Sequence, residues 1–271
     1  MGRSLILGLM PCVACVFGAK VERAVSGSFD LSGVDTVRVE MADSPMTVVA
    51  CPADDDPCPR TLTFDGVFLA FGGTRREAEK LTERAEIVFD VADGFGVLSV
   101  IEDVDFEEQV RLELGEVRLP DDVDLELDTD VGDIDVSGTR ANVRAFSGAG
   151  DVVVFGADEG VVVRTEVGDV DVHTPGIVDL WTGDGRLHLA QTGGARDVYI
   201  AVDRGSIEVD LASDANLDLF IDARGEFDVK TDRINTVGSG SIRRITGNGT
   251  IRVVLENGGG SVVVRMIGDL P

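Results

Sequence analysis

Apolar and polar residues alternate with a period of two along most of this chain, and from about residue 110 the alternation falls into repeated units. Each unit aligns on one glycine: Gly132, Gly150, Gly168, Gly185, Gly205, Gly225 and Gly249, at intervals of 18, 18, 17, 20, 20 and 24 residues. Two and four residues after the glycine stand apolar side chains, as in Ile134 and Val136, Val152 and Val154, or Val170 and Val172. Seven and five residues before it stand another pair, as in Leu125 and Leu127, Val143 and Ala145, or Val161 and Val163. The third place before it often holds a hydroxyl: Thr129, Ser147, Thr165, Thr182 and Thr246. Period two puts the apolar residues of each arm on one strand face. Each unit therefore predicts an arm, a glycine corner, a second arm and a connector. The unit before Gly225 is out of phase, because Leu217, Leu219 and Ile221 come one residue early. One extra residue there, such as a bulge, would restore the register.

The connectors (SGTRAN, FGADEG, HTPG, AQTGGARD) vary in length while the arm-corner-arm portion barely changes. That is the signature of a repeat architecture with insertions on one side. One unit has too few aliphatic side chains to offset the entropy of ordering its own chain, so units must share a core. The fold class is all-β, and two architectures fit. In a β-solenoid each unit is a short coil and equivalent residues stack; the recurring hydroxyl favours this. In an antiparallel meander or sandwich, VGDI is a two-residue hairpin with glycine first.

Residues 20–115 form a less regular β part, continuous with the repeat region at 116–271. It holds the one helix signal of the chain, over about 74–85. Thr74 is placed to cap it, Glu77 completes a capping box, and Ala78, Leu81 and Ala85 make a narrow apolar face.

The N-terminus reads differently. Arg3 precedes an apolar, small-residue stretch from Leu5 to Ala19, too short to span a bilayer as a helix. Residues 1–19 predict an export signal, with cleavage after Gly18 or Ala19. Cys15 after Val13 and Ala14 resembles a lipidation site, although Cys12 stands where that motif wants an aliphatic residue. Cys51 and Cys58, in CPADDDPCP, predict a disulfide closing a small loop in an exported protein.

Composition narrows the function. The chain of 271 residues carries 24 Lys and Arg against 50 Asp and Glu, a net charge of −26. Such a charge repels nucleic-acid phosphates and anionic lipid headgroups. Membrane attachment is expected only through an N-terminal lipid, and for an exported chain the expected partner is an unknown envelope or surface component.

The stretch LPDDVDLELDTDVGDIDVSG at 119–138 runs proline, charged pair, alternating strand, threonine, Gly-Asp and second strand. VVVRTEVGDVDVHTPG and GNGTIRVVLENGGGSVVVRM repeat the style. In these residues the chain resembles the bacterial putative-adhesin domains, β-solenoids related to the head domain of putative autotransporter adhesins. The resemblance covers residues 110–271 clearly and 34–100 more loosely. It implies an exported, periplasmic, outer-membrane or cell-surface protein without an assigned catalytic site. It brings no set of functional residues. The acidity and the cysteine-bracketed loop depart from the family.

Candidate chemistry is sparse. No G-x-S-x-G elbow is present, and the glycine-rich GSGS at 238–241 and NGGGS at 257–261 do not lead from a strand into a helix. The expected protein is therefore not an enzyme and has no cofactor. Asp133, Asp151 and Asp169 each follow a corner glycine, so stacking would line them up about 4.8 Å apart. Such a column is a candidate calcium site, with Asp135 and Asp171 nearby. His173 and His188 fall just past their second arms as outward-facing residues, and stacking would make them neighbours. Trp181 and Tyr199 fall on the outer face as a candidate aromatic patch for a glycan or partner. The leading expectation is an adhesin-like or scaffolding protein of the cell envelope. The alternative is a divalent-cation- or polysaccharide-binding module.

Overall fold

The computed structural model describes residues 18–51, 59–101, 110–193, 196–212 and 216–266. In chain order the elements begin with β1 (Ala19–Asp30), β2 (Thr36–Met41), β3 (Met46–Cys51), β4 (Thr61–Gly72), α1 (Arg75–Arg84), β5 (Glu86–Ala92), β6 (Phe95–Ile101) and β7 (Val110–Pro120). The repeats follow as β8 (Asp124–Val131), β9 (Ile134–Thr139), β10 (Val143–Ala149), β11 (Val152–Gly156), β12 (Gly160–Val167), β13 (Val170–Thr174), β14 (Ile177–Gln191) and β15 (Val198–Leu211). The chain closes with β16 (Leu217–Lys230), β17 (Asn235–Ile245), β18 (Ile251–Asn257) and β19 (Val262–Met266). The protein is all-β with one short helix among the described residues.

Units stack in parallel and in register. First arms pair with first arms, Leu125 with Val143, Val143 with Val161 and Val161 with Val178. Second arms do the same, Ile134 with Val152, Val152 with Val170 and Val170 with Leu187. None of the described ladders joins the two arms of one unit, so VGDI is a bend between two ladders and not a hairpin. β14, β15 and β16 run through the bend as single strands. The alternating aliphatics of both arms face one continuous core.

The order of layers is not the order of the chain. The layer β18–β19 pairs with β15 on one side and β16 on the other. The last unit in sequence is thus threaded between the two before it. The N-terminal end repeats the arrangement: β2–β3 lies between β6–β7 and β8–β9. One interior column runs Val117, Val48, Val136, Val154, Val172, Leu189, Val209, Val264, Val229, every member fully buried. The stack therefore extends well into the less regular N-terminal part, since β2–β3 and β6–β7 each supply a layer.

Two sequence expectations change here. Gly249 is not a corner. Gly260 is, because Val253 and Leu255 take the first-arm places and Val262 and Val264 the second-arm places. The third place before that corner is Asn257, not Thr246. The unit around Gly225 has one residue fewer at its bend, not one more: four positions separate Ala223 from Phe227, where five separate the partners Asn257 and Val262. A short bend is tolerated there because this unit is an end layer with one stacked neighbour.

Both ends are closed by antiparallel strands. β17 folds back on β16, and Arg243 ties it down with a forked pair of bonds to Asp218 (2.8 and 2.6 Å). At the other end β4 pairs with β7, β1 with β4, and β5 with β6. The helix lies against β1 and β4. Thr74 Oγ1 accepts the Glu77 N–H (3.3 Å) and Glu77 Oε2 accepts the Thr74 N–H (2.9 Å), as the sequence predicts. Ala78, Leu81 and Ala85 are buried. The Arg23 guanidinium donates to the Ala85 carbonyl at the helix C-terminus (2.7 Å) and lies over the Phe68 ring.

Candidate functional site

The glycine corners form a column, and crowding explains them. A Cβ on Gly150 would collide with the Gly132 carbonyl, one on Gly168 with that of Gly150, and one on Gly185 with that of Gly168. The column continues through Gly205, Gly260 and Gly225. Positive φ adds to the requirement at Gly132, Gly150 and Gly168. Inside the bend, the hydroxyl column serves the same carbonyls. Ser147 donates to the Gly132 oxygen (3.0 Å), Thr165 to Gly150 (3.2 Å) and Thr182 to Gly168 (3.0 Å). These side chains are buried, so each bond pairs a buried hydroxyl with a partly buried carbonyl.

Outside the bend lie Asp133, Asp151 and Asp169, in a column as expected. One oxygen of each is already engaged. Asp133 Oδ1 accepts the Asp151 N–H (2.9 Å), Asp151 Oδ1 the Asp169 N–H (2.8 Å) and Asp169 Oδ1 the Arg186 N–H (2.7 Å). The guanidinium of Arg186 also approaches Asp169 Oδ2 at 3.9 Å. The Gly-Asp motif is thus a structural device in which each aspartate caps the bend of the next layer. For calcium it offers one remaining oxygen per layer, against the 6–8 oxygens such an ion takes.

The outer face of the first-arm ladder carries an aromatic strip. Trp181 pairs with Ala201, and Asp179 with Tyr199, so the two rings are diagonal neighbours on adjacent layers. Phe146 and Arg164 precede Trp181 in the same column. The Tyr199 hydroxyl donates to Glu256 Oε2 (3.0 Å). Partial desolvation, and then this bond, push the phenol pKa up.

The outer face of the second-arm ladder brings together the two histidines of the chain. The register sets Asp171 beside His188, and His173 one pleat further along. His188 Nδ1 is 2.8 Å from Asp171 Oδ1, and His173 Nε2 is 3.2 Å from the same oxygen. The far nitrogen of His188, Nε2, is 3.4 Å from Asp210 Oδ2 on β15. The Phe155 ring stacks on His173 with centroids 4.5 Å apart. Donor atoms of Asp171, His173 and His188 all lie within 4.8 Å of one another, a cluster able to hold a metal ion. The sequence sets the histidines together and places Asp171 near the aspartate column, whereas the structure turns Asp171 to the histidines and adds Asp210 and Phe155. The signal was available: Asp171 and His188 both stand three residues after the second-arm partners' common bend, Gly168 and Gly185 respectively.

Other candidates fall outside what the structure describes. Cys15 and the whole of residues 1–17 lie outside the described residues, as does Cys58. Cys51 ends β3 beside Pro120 and makes no disulfide among the described residues. No helix among the described residues is long and apolar enough to cross a membrane.

No family model matches the chain, and no curated protein matches it. Solved structures do. The chain is similar to a putative cell adhesion protein from Clostridium sporogenes, at 14% identity and TM-score 0.37, over 91% of this chain and 100% of that one. It is similar to a putative adhesin from Bacteroides fragilis, at 13% identity and TM-score 0.41, over 90% of this chain and 97% of that one. It is also similar to a putative adhesin from Parabacteroides distasonis, at 12% identity and TM-score 0.30, over 91% and 97% of the two chains.

Proposed function

We propose that this chain is an exported, non-enzymatic β-solenoid that acts as an adhesin-like or scaffolding protein of the bacterial cell envelope. The observation that carries the reading is the ladder architecture itself. Nearly every inward position is spent on the core, and the outward positions form two broad faces that span many layers. Such faces suit extended contact with a partner. His173 and His188 face carboxylates, not a serine or cysteine nucleophile. The export signal read from residues 1–19 supports placement in the envelope.

The polysaccharide-binding version of this reading is favoured by the Trp181–Tyr199 strip, since aromatic faces beside hydrogen-bonding groups suit sugar rings. The test is binding of the purified protein to immobilised bacterial envelope polysaccharide. Saturable binding should weaken at least tenfold in a Trp181→Ala, Tyr199→Ala double variant whose melting temperature is unchanged. Turnover of the glycan, abolished by one carboxylate substitution, would replace the reading with an enzymatic one.

A further inference from the structure

We infer that Asp171, His173 and His188 form a binding site for one late first-row divalent cation, of which zinc is the type. This assignment stands apart from the adhesive role and uses residues on the opposite ladder from the aromatic strip.

The donor set fits the ion. Two imidazole nitrogens and one carboxylate oxygen suit zinc and its neighbours, whereas calcium and magnesium want oxygen alone. The spacing fits too. Ligands about 2.0–2.2 Å from a tetrahedral zinc ion lie roughly 3.3 Å from each other. Asp171 Oδ1 lies 2.8 Å from His188 Nδ1 and 3.2 Å from His173 Nε2, and all three donors lie within 4.8 Å of one another, so ligation requires the two imidazoles to turn about the shared carboxylate.

Two further contacts distinguish the cluster from a chance meeting of surface groups. A metal-bound imidazole commonly donates its other N–H to a carboxylate, and this partner fixes the ring and raises its basicity. Asp210 occupies that place for His188, 3.4 Å from Nε2, and is itself held by Arg265 (3.2 Å). His188 thus stands between two carboxylates. With an ion on Nδ1, the Nε2–H is free to donate to Asp210, so both sides of the ring are satisfied. Phe155 stacks on His173 and limits its rotation. Asp210 and Phe155 are positioning residues, and neither touches the ion.

The backbone supplies the rest of the preorganisation. Asp171 and His173 alternate on one strand, β13, and His188 is set beside Asp171 by the parallel register with β14. The three ligands therefore sit on rigid strands and not on a loop. The site is half-buried, with His188 24% and His173 33% exposed, so it is open to ions from solvent. Three protein ligands leave at least one coordination position to water or to a group brought by a partner.

The test is titration of the full-length chain with Zn2+ by calorimetry, and with Co2+ by visible absorption. The expected result is one ion per chain, and a four- or five-coordinate cobalt spectrum without thiolate charge-transfer bands. Excess Ca2+ should not compete. A His173→Ala, His188→Ala double variant should lose more than about 100-fold in affinity, two of the three ligands being gone. Asp210→Asn should weaken binding about 10–100-fold while keeping the one-ion stoichiometry. Each metal-free variant should still melt in one cooperative transition, so that a loss of affinity is read on a folded chain. No saturable binding, thiolate bands in the cobalt spectrum, or an affinity unchanged in the double histidine variant would overturn the assignment.

Discussion

At the scale of single residues, the fold depends on what one layer's bend presents to the next. The glycine at each corner is excluded from carrying a side chain by the carbonyl of the neighbouring corner. Gly150→Ala should therefore cost about 1–3 kcal/mol, the range for overpacking a closed interior, read as a lowered urea midpoint. The hydroxyl three residues earlier satisfies that same carbonyl. Thr165→Val keeps the shape but leaves the Gly150 oxygen without its donor, and should cost about 1–3 kcal/mol, measured in the same way. The sequence displays both columns plainly, because each repeats at a fixed offset in several units. It also displays the aspartate column, but not its work: acceptance of a backbone N–H from the next layer depends on stacking geometry that one repeat does not contain. The histidine cluster is intermediate. Repeat offsets are enough to set Asp171 beside His188 and Phe155 beside His173, but Asp210 is not the register partner of His188 and reaches it only diagonally from β15.

At the scale of elements, arms of five to eight residues, as in β8 to β13, are too short to persist alone and gain their stability from pairing on both edges. The helix is the exception. Its start is set by a local signal, the Thr74–Glu77 capping box, and is readable in the sequence, whereas the Arg23 contact at Ala85 comes from a strand 62 residues earlier and is visible only in the fold. Thr74→Ala should remove the cap and cost about 1 kcal/mol, seen as a small drop in melting temperature and faster hydrogen exchange in residues 75–78. The capping strand β17 shows a different logic. Its residues NTVGSGSIRRI are mostly exposed, and it has no stacked layer beyond β16. Its glycines, serines and the Arg243 pair suit a strand that must end a stack, although Val237 and Ile245 leave two apolar side chains exposed on it.

At the scale of the whole molecule, the unexpected feature is the threading of both ends. A layer held between two others buries both of its edges, so the units nearest the chain ends are protected from fraying. The outermost positions pass instead to β6–β7 and β16, which the antiparallel strands cover. This order was not legible in the sequence, and the reason is physical. Every layer presents nearly the same interior column, so periodicity fixes faces and register but not which layer rests on which. Corner length is the remaining clue. Five positions separate Val202 from Ile207 and Asn257 from Val262, whereas four separate Ala223 from Phe227. The matched bends are neighbours and the short one is left at the end. Without that count the natural assumption is that units stack as they are made.

The central claim is therefore a stack of parallel layers in the order 198–211, 251–266, 217–230. Disulfide trapping tests it directly, in a chain whose four native cysteines are serine. Ala201→Cys should cross-link with Glu256→Cys, and Glu256→Cys with Asp222→Cys, because each pair is in register on adjacent strands. Ala201→Cys and Asp222→Cys should not cross-link, being two layers apart, about 10 Å, where a disulfide reaches roughly 4.4–6.8 Å between Cα atoms. Efficient trapping of the 201–222 pair, with the two pairs through residue 256 unreactive, would contradict the account.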